Sequence, residues 1–99
     1  MNALQKLEVL KKVYAGGESL DLIVDKLLGV MLNQHQLRLE QYDRDLRKFE
    51  ERYGMDSATF YSRFEAGSLG DAMDLFEWAG LYELRQALQE KIRDLEAVL

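Results

Sequence analysis

The chain has 99 residues, with 13 Lys and Arg against 18 Asp and Glu, one His, no Cys and no Pro. Without cysteine there are no disulfides, thiolate nucleophiles or Cys-ligated metals, and His35 alone cannot build a two- or three-histidine metal site. The formal charge of −5 disfavours non-specific contact of the isolated chain with nucleic acid or anionic membranes.

An average chain of this length carries roughly five prolines. Their absence, together with 18 leucines and only eight β-branched residues, predicts long helices in one domain spanning residues 1–99. Leu4, Leu7, Leu10 and Tyr14 recur at helical spacing, so residues 2–14 read as a short amphipathic helix stopped by Gly16-Gly17. Ser19 then offers an N-cap, with Asp21 in the first turn, for a second helix that meets no clear stop before Gly54. Its length of about 34 residues corresponds to roughly 50 Å. Gly29 is the weak point, leaving room for a kink or break near 29–33, because glycine costs a helix interior about 1 kcal/mol relative to alanine. Leu20, Ile23, Val24, Leu27 and Met31 form one apolar stripe near its start. From Leu28 a second seam takes over through Leu32, His35, Leu39, Tyr42, Leu46, Phe49 and Tyr53, in alternating steps of four and three. The charged residues between them form a solvated face with i,i+4 pairs.

Beyond Gly54, Asp56 suits an N-cap, and Met55 and Phe60 occupy the two positions of a hydrophobic staple. Gly67 closes this short helix. The last helix, capped by Asp71 or Asp74, runs to the C-terminus on the stripe Leu75, Trp78, Leu81, Leu84, Leu88, Ile92, Leu95, Leu99. The expected fold is therefore all-α: a helical bundle of four helices with one long, coiled-coil-like helix. The longest apolar run, Leu27–Leu32, is far short of the ~20 residues that span a bilayer. No basic stretch leads into an apolar one at the N-terminus, so a cytoplasmic protein without a signal peptide is expected.

A helix of roughly 50 Å outruns a compact domain of this length, whose radius of gyration is about 13 Å. Seam positions on a projecting helix need cover from another chain. A homodimer or higher homo-oligomer built on Leu28, Leu32, His35, Leu39, Tyr42, Leu46, Phe49 and Tyr53 is expected.

Charge is unevenly placed. Segments 1–37, 38–53 and 84–99 are each neutral, whereas 54–83 holds Arg63 against six acids and so carries the whole −5, along with six of the ten aromatics. Two accounts fit. Acids favour a helix N-terminus and the aromatics fill a bundle core; alternatively, an acidic and aromatic surface docks on a basic partner, with aromatic anchors and steering carboxylates.

The string Phe49-Glu50-Glu51-Arg52-Tyr53-Gly54-Met55, followed by Phe60, Phe64-Glu65-Ala66-Gly67-Ser68-Leu69-Gly70-Asp71, Asp74 and Phe76-Glu77-Trp78, resembles the TumA-like antitoxins encoded beside TumE-like toxins. The resemblance covers roughly residues 37–99. It implies a small helical protein that neutralises a cognate toxin, an RNA-targeting one among the candidates, by direct binding. It also implies that Phe60, Phe64, Leu69, Asp71, Asp74, Glu77 and Trp78 form the shared element. Residues 1–36 lie outside it and show no DNA-binding signature.

Catalysis is not expected. Ser57, Ser62 and Ser68 have only His35 to serve as base. Gly67-Ser68-Leu69-Gly70 lacks the ending of a phosphate-binding loop. Asp71, Asp74 and Glu77 fit no EF-hand spacing. No cofactor or metal is expected. The leading expectation is an antitoxin-like inhibitor; the alternative is a homo-oligomeric structural or adaptor bundle.

Overall fold

The computed structural model describes residues 1–13 and 18–99, with the side chains of 18 and 19 left aside. Four helices follow in order: α1 (Ala3–Val13), α2 (Glu18–Tyr53), α3 (Ser57–Glu65) and α4 (Met73–Val98). The chain is all-α, as composition and periodicity predict. Helix α2 begins at Glu18, so Ser19 lies inside the helix rather than ahead of it. The Gly16-Gly17 stop and Tyr14 fall outside the described residues. Among the described residues, no helix is long and apolar enough to cross a membrane.

Helix α2 runs without a break through Gly29. Neighbouring leucines and polar helix formers on both sides sustain it against the local cost of one glycine. It ends where Gly54 takes a positive φ of 66° and donates its N–H to Glu50 O. Helix α3 starts as its local signals dictate: the Asp56 carboxylate accepts from Thr59 N–H at 2.7 Å and from Thr59 Oγ1 at 3.0 Å. The backbone bond from Thr59 is the main reason the Asp56 carboxyl is held below its usual range. Met55 packs against the cluster that contains Phe60, as a staple requires. At the other end Gly67, at φ 74°, donates to Phe64 O and Ser68 N–H reaches Arg63 O.

The start of α4 departs from expectation. Its N-cap is Ala72, which offers no side-chain cap, while Asp71 is exposed and unused. Asp74 lies inside the first turn and accepts from Arg52 Nη1 and Tyr53 Oη, both at 3.1 Å. Its carboxylate thus ties α4 back to the end of α2 instead of capping α4.

Those contacts also set the packing direction. Arg52 and Tyr53 meet Asp74, and Arg85 Nε donates to Asp43 Oδ1 at 2.9 Å. Numbers fall along α2 as they rise along α4, so the two form an antiparallel hairpin. At equal rise, this register brings α4 to its end opposite the Gly29–Leu32 turn of α2. The first third of α2 projects beyond it, giving extents of 57 × 24 × 18 Å and a radius of gyration of 19.3 Å.

The core sits at the closed end of the hairpin. Leu46, Phe60, Leu75, Trp78 and Ala79 are buried together, ringed by half-buried side chains that include Phe49, Phe64, Leu69 and Tyr82. Trp78 and Phe60 are fully buried and stack at 3.7 Å with an interplanar angle of 3°. Phe49 and Tyr53 stack against the same indole at 5.7 and 5.5 Å. On α4, Leu84 is 55 % exposed and Leu99 53 %, so neither belongs to the buried stripe assigned to them; Ala79 replaces Leu84 on the core side.

Helix α3 is locked to both long helices through one serine. Ser57, 5 % exposed, donates its N–H and its Oγ to Glu50 Oε2, each at 2.8 Å, and its Oγ accepts from Trp78 Nε1 at 3.0 Å. The first backbone N–H of α3, unsatisfied within its own helix, is thereby capped from α2. Removing the hydroxyl leaves the buried indole N–H without an acceptor. Ser57→Ala is therefore expected to cost about 1–3 kcal/mol in urea unfolding; a neutral result would mean that the relay contributes nothing to stability.

Candidate functional site: an open groove on the helical hairpin

The residues singled out as partner-binding divide sharply. Phe60 and Trp78 are fully buried and cannot meet a partner. Phe64 is half-buried, stacked on Phe60 at 5.6 Å and edge-on to Phe76 at 5.2 Å. Leu69 packs on the core cluster, and Asp74 is engaged with Arg52 and Tyr53. The assignments of Phe60 and Trp78 are corrected: their stack closes the bundle core, where both rings leave water completely. Phe64, Leu69 and Asp74 are only partly covered, and the Asp74 side chain stays 47 % exposed. Asp71 and Glu77 are exposed and enter no hydrogen bond or ion pair among the described residues.

The remaining acids are partly occupied. Tyr61 Oη donates to Glu83 Oε1 at 2.6 Å, and that bond, helped by Glu65, pushes the phenol well above its usual range. Acidity at this end is thus partly structural, and Asp71 and Glu77 hold its freest carboxylates.

The proposed dimer seam is likewise used inside the chain. Leu46 is a core residue, and Phe49 and Tyr53 stack on Trp78. Leu28, Leu32, His35, Leu39 and Tyr42 are half-buried along the same line, facing the side of α2 that α4 occupies from its end to Leu88. The physical reason is the hairpin: α4 carries its own apolar stripe and packs antiparallel along this side of α2.

Packing leaves a different surface open. A groove of about 590 Å³ runs between α2 and α4, lined by Phe49, Phe76, Gly80, Leu81 and Leu84, with Asp45, Lys48, Arg52 and Glu77 at its rim. No α3 residue lines it; α3 covers the opposite side, where Ser57 and Ala58 meet a second hollow. Phe76 is 53 % exposed although it lies beside the core. The groove continues past Leu84 into a hollow lined by Leu37, Gln41, Ala87, Leu88 and Lys91, with His35 at its edge. From Phe76 to Lys91 the face measures about 22 Å, enough for a four-turn helix.

Gly80 gives the groove a particular character. A glycine inside a helix costs about 1 kcal/mol relative to alanine, and a Cβ built at Gly80 meets nothing within 4 Å. Packing does not demand this glycine, and its effect is to deepen the groove floor between Phe76 and Leu84.

The single stripe read on α4 misses this surface. Met73, Phe76, Gly80, Leu84 and Ala87 follow one another at steps of three and four, a second stripe legible beside the first. Among the described residues, no group of three or more His, Cys, Asp or Glu is placed to hold a metal ion. Compared with known proteins, the chain matches no family model, no curated protein and no solved structure.

Proposed function

We propose that this chain is a helical inhibitor of the antitoxin type, which acts by holding a segment of a partner protein in the α2–α4 groove. The observation that carries the reading is the groove itself: Phe76 and Leu84 are more than half exposed on a rigid hairpin, with charged side chains at the rim. Burying those two side chains supplies about 1 kcal/mol or more each, the behaviour of anchor residues. Asp71 and Glu77, beside the groove's Phe76 end, steer a basic partner towards it. The resemblance over residues 37–99 supplies the specific role, neutralisation of a cognate toxin, with an RNA-targeting toxin as the natural basic partner. In this reading the chain itself performs no catalysis, needs no cofactor and works in the cytoplasm.

Co-expression with the product of the adjacent gene tests the proposal. A stable complex is expected, and it should be lost in Leu84→Glu, which places a carboxylate on the groove. Gly80→Ala is expected to raise the urea midpoint of the free chain and yet weaken the complex, a combination that a purely structural glycine does not produce. Failure of the neighbouring product to co-purify, or a complex indifferent to both changes, would overturn the reading.

One observation favours the alternative, a homo-oligomeric structural or adaptor bundle. The burial of Phe60 and Trp78 removes the two largest aromatics of the acidic segment from any partner surface.

A further inference from the structure

The walls of the α2–α4 groove restrict the kind of segment that can lie in it. Both walls are continuous α-helix, Glu18–Tyr53 and Met73–Val98, so the backbone N–H and C=O groups along them are paired inside each wall. An extended segment laid there finds no backbone partner and leaves its own peptide groups unpaired against Phe76, Gly80 and Leu84. A helix pairs its peptide groups internally and presents only side chains. At Gly80 a built Cβ meets nothing within 4 Å, so the floor has room for a large apolar side chain between Phe76 and Leu84.

Charge sets the polarity of that helix. Six charged side chains line the groove and its continuation past Leu84: Asp45, Lys48, Arg52 and Glu77 towards Phe76, and Arg38 and Lys91 at the far end. Lys48 is paired with Asp45 at 3.7 Å, and Arg52 with Asp74 at 3.1 Å. Glu77, Arg38 and Lys91 are exposed and enter no hydrogen bond or ion pair among the described residues. Outside the lining, Asp71 adds to the Glu77 end, and Asp94 lies one turn past Lys91. Glu77 and Lys91 stand about 21 Å apart along α4, four turns of helix. At the Glu77 end α2 finishes and α4 begins, so their backbone dipoles oppose one another and the unpaired side chains decide.

We propose that the occupant is an amphipathic helix of about four turns in a partner protein, basic at the end that meets Glu77 and acidic at the end over Arg38 and Lys91. This rests on the reading of the groove as a partner site and adds the chemistry of the segment it takes. A second copy of this chain matches less well: α1 has Lys11 and Lys12 in its last turn but no acid in its first.

Two synthetic peptides, titrated calorimetrically into the full chain, test this. Both form four-turn helices with leucine on one face and equal numbers of Glu and Lys. One has Glu in its first turn and Lys in its last; the other mixes them at both ends. The segregated peptide is expected to bind about tenfold tighter at low ionic strength, an advantage lost at high salt and in Arg38→Gln/Glu77→Gln/Lys91→Gln. Leu84→Glu should weaken both peptides, which places them in the groove. An advantage that survives in the triple variant belongs to the helicity of the peptide itself and overturns the proposal. Equal affinities, or no binding by either peptide, would also overturn it, while the co-expressed complex and its response to Leu84→Glu still decide whether the groove holds a partner at all. A free chain that dimerises, and becomes monomeric in Leu84→Glu, would assign the groove to a second copy instead.

Discussion

Replacing Trp78 with alanine is expected to destabilise the fold by about 3–5 kcal/mol, the range for removing a fully buried large aromatic. The indole has no exposed surface and stands between Phe60, Phe49 and Tyr53, so its removal leaves three rings facing a void. It also frees Ser57 Oγ from the Trp78 Nε1 bond. Domains of this size have about 5–15 kcal/mol in total, so the variant sits near the limit of folding. Urea unfolding followed by circular dichroism at the helix band is the measurement, since the variant lacks the only tryptophan. Trp78→Phe separates the contributions: it retains stacking with Phe60 and loses the N–H bond, and should recover most of the loss. A cost below about 1 kcal/mol for Trp78→Ala would mean that the aromatic stack is not where the bundle is held together.

Local chemistry was readable from the residues because its determinants are adjacent in the chain. Asp56 and Thr59 are three residues apart, Met55 and Phe60 five, and Gly54 and Gly67 stand where a left-handed φ closes a helix. The four helices follow from such signals. What could not be read is which surface each stripe meets. A four-three seam such as Leu39, Tyr42, Leu46 and Phe49 has the same periodicity whether its partner is α4 of the same chain or a helix of another. Distance along the chain hides the ties that decide it, Asp74 to Arg52 and Tyr53, and Asp43 to Arg85. The same blindness affected the acidic segment, whose aromatics were divided by packing: Phe60 and Trp78 went inside, and Phe76 stayed outside. Ser57 carried no signal as a junction residue, because its partners Glu50 and Trp78 lie on two other helices. The groove was half legible, since its α4 stripe is periodic but its α2 rim is charged and resembles an ordinary solvated face.

Leu46→Ala decides between the two uses of the α2 seam, because Leu46 is the one buried residue on it. With Leu75, Trp78 and Ala79 of α4 as its neighbours in the core cluster, the truncation leaves a cavity inside a single chain. The expected cost is about 2–5 kcal/mol. A seam between chains would produce a loss that deepens on dilution, since dissociation of a dimer is coupled to its unfolding by mass action. A seam within the chain produces one that concentration does not touch. Urea midpoints of the parent chain and of Leu46→Ala, each measured at widely separated protein concentrations, should differ by the same amount throughout. A difference that grows as the protein is diluted would return Leu46, and with it Phe49 and Tyr53, to an interface between chains. The groove beside Phe76 would then have to be rebuilt from a different pairing of α2 and α4.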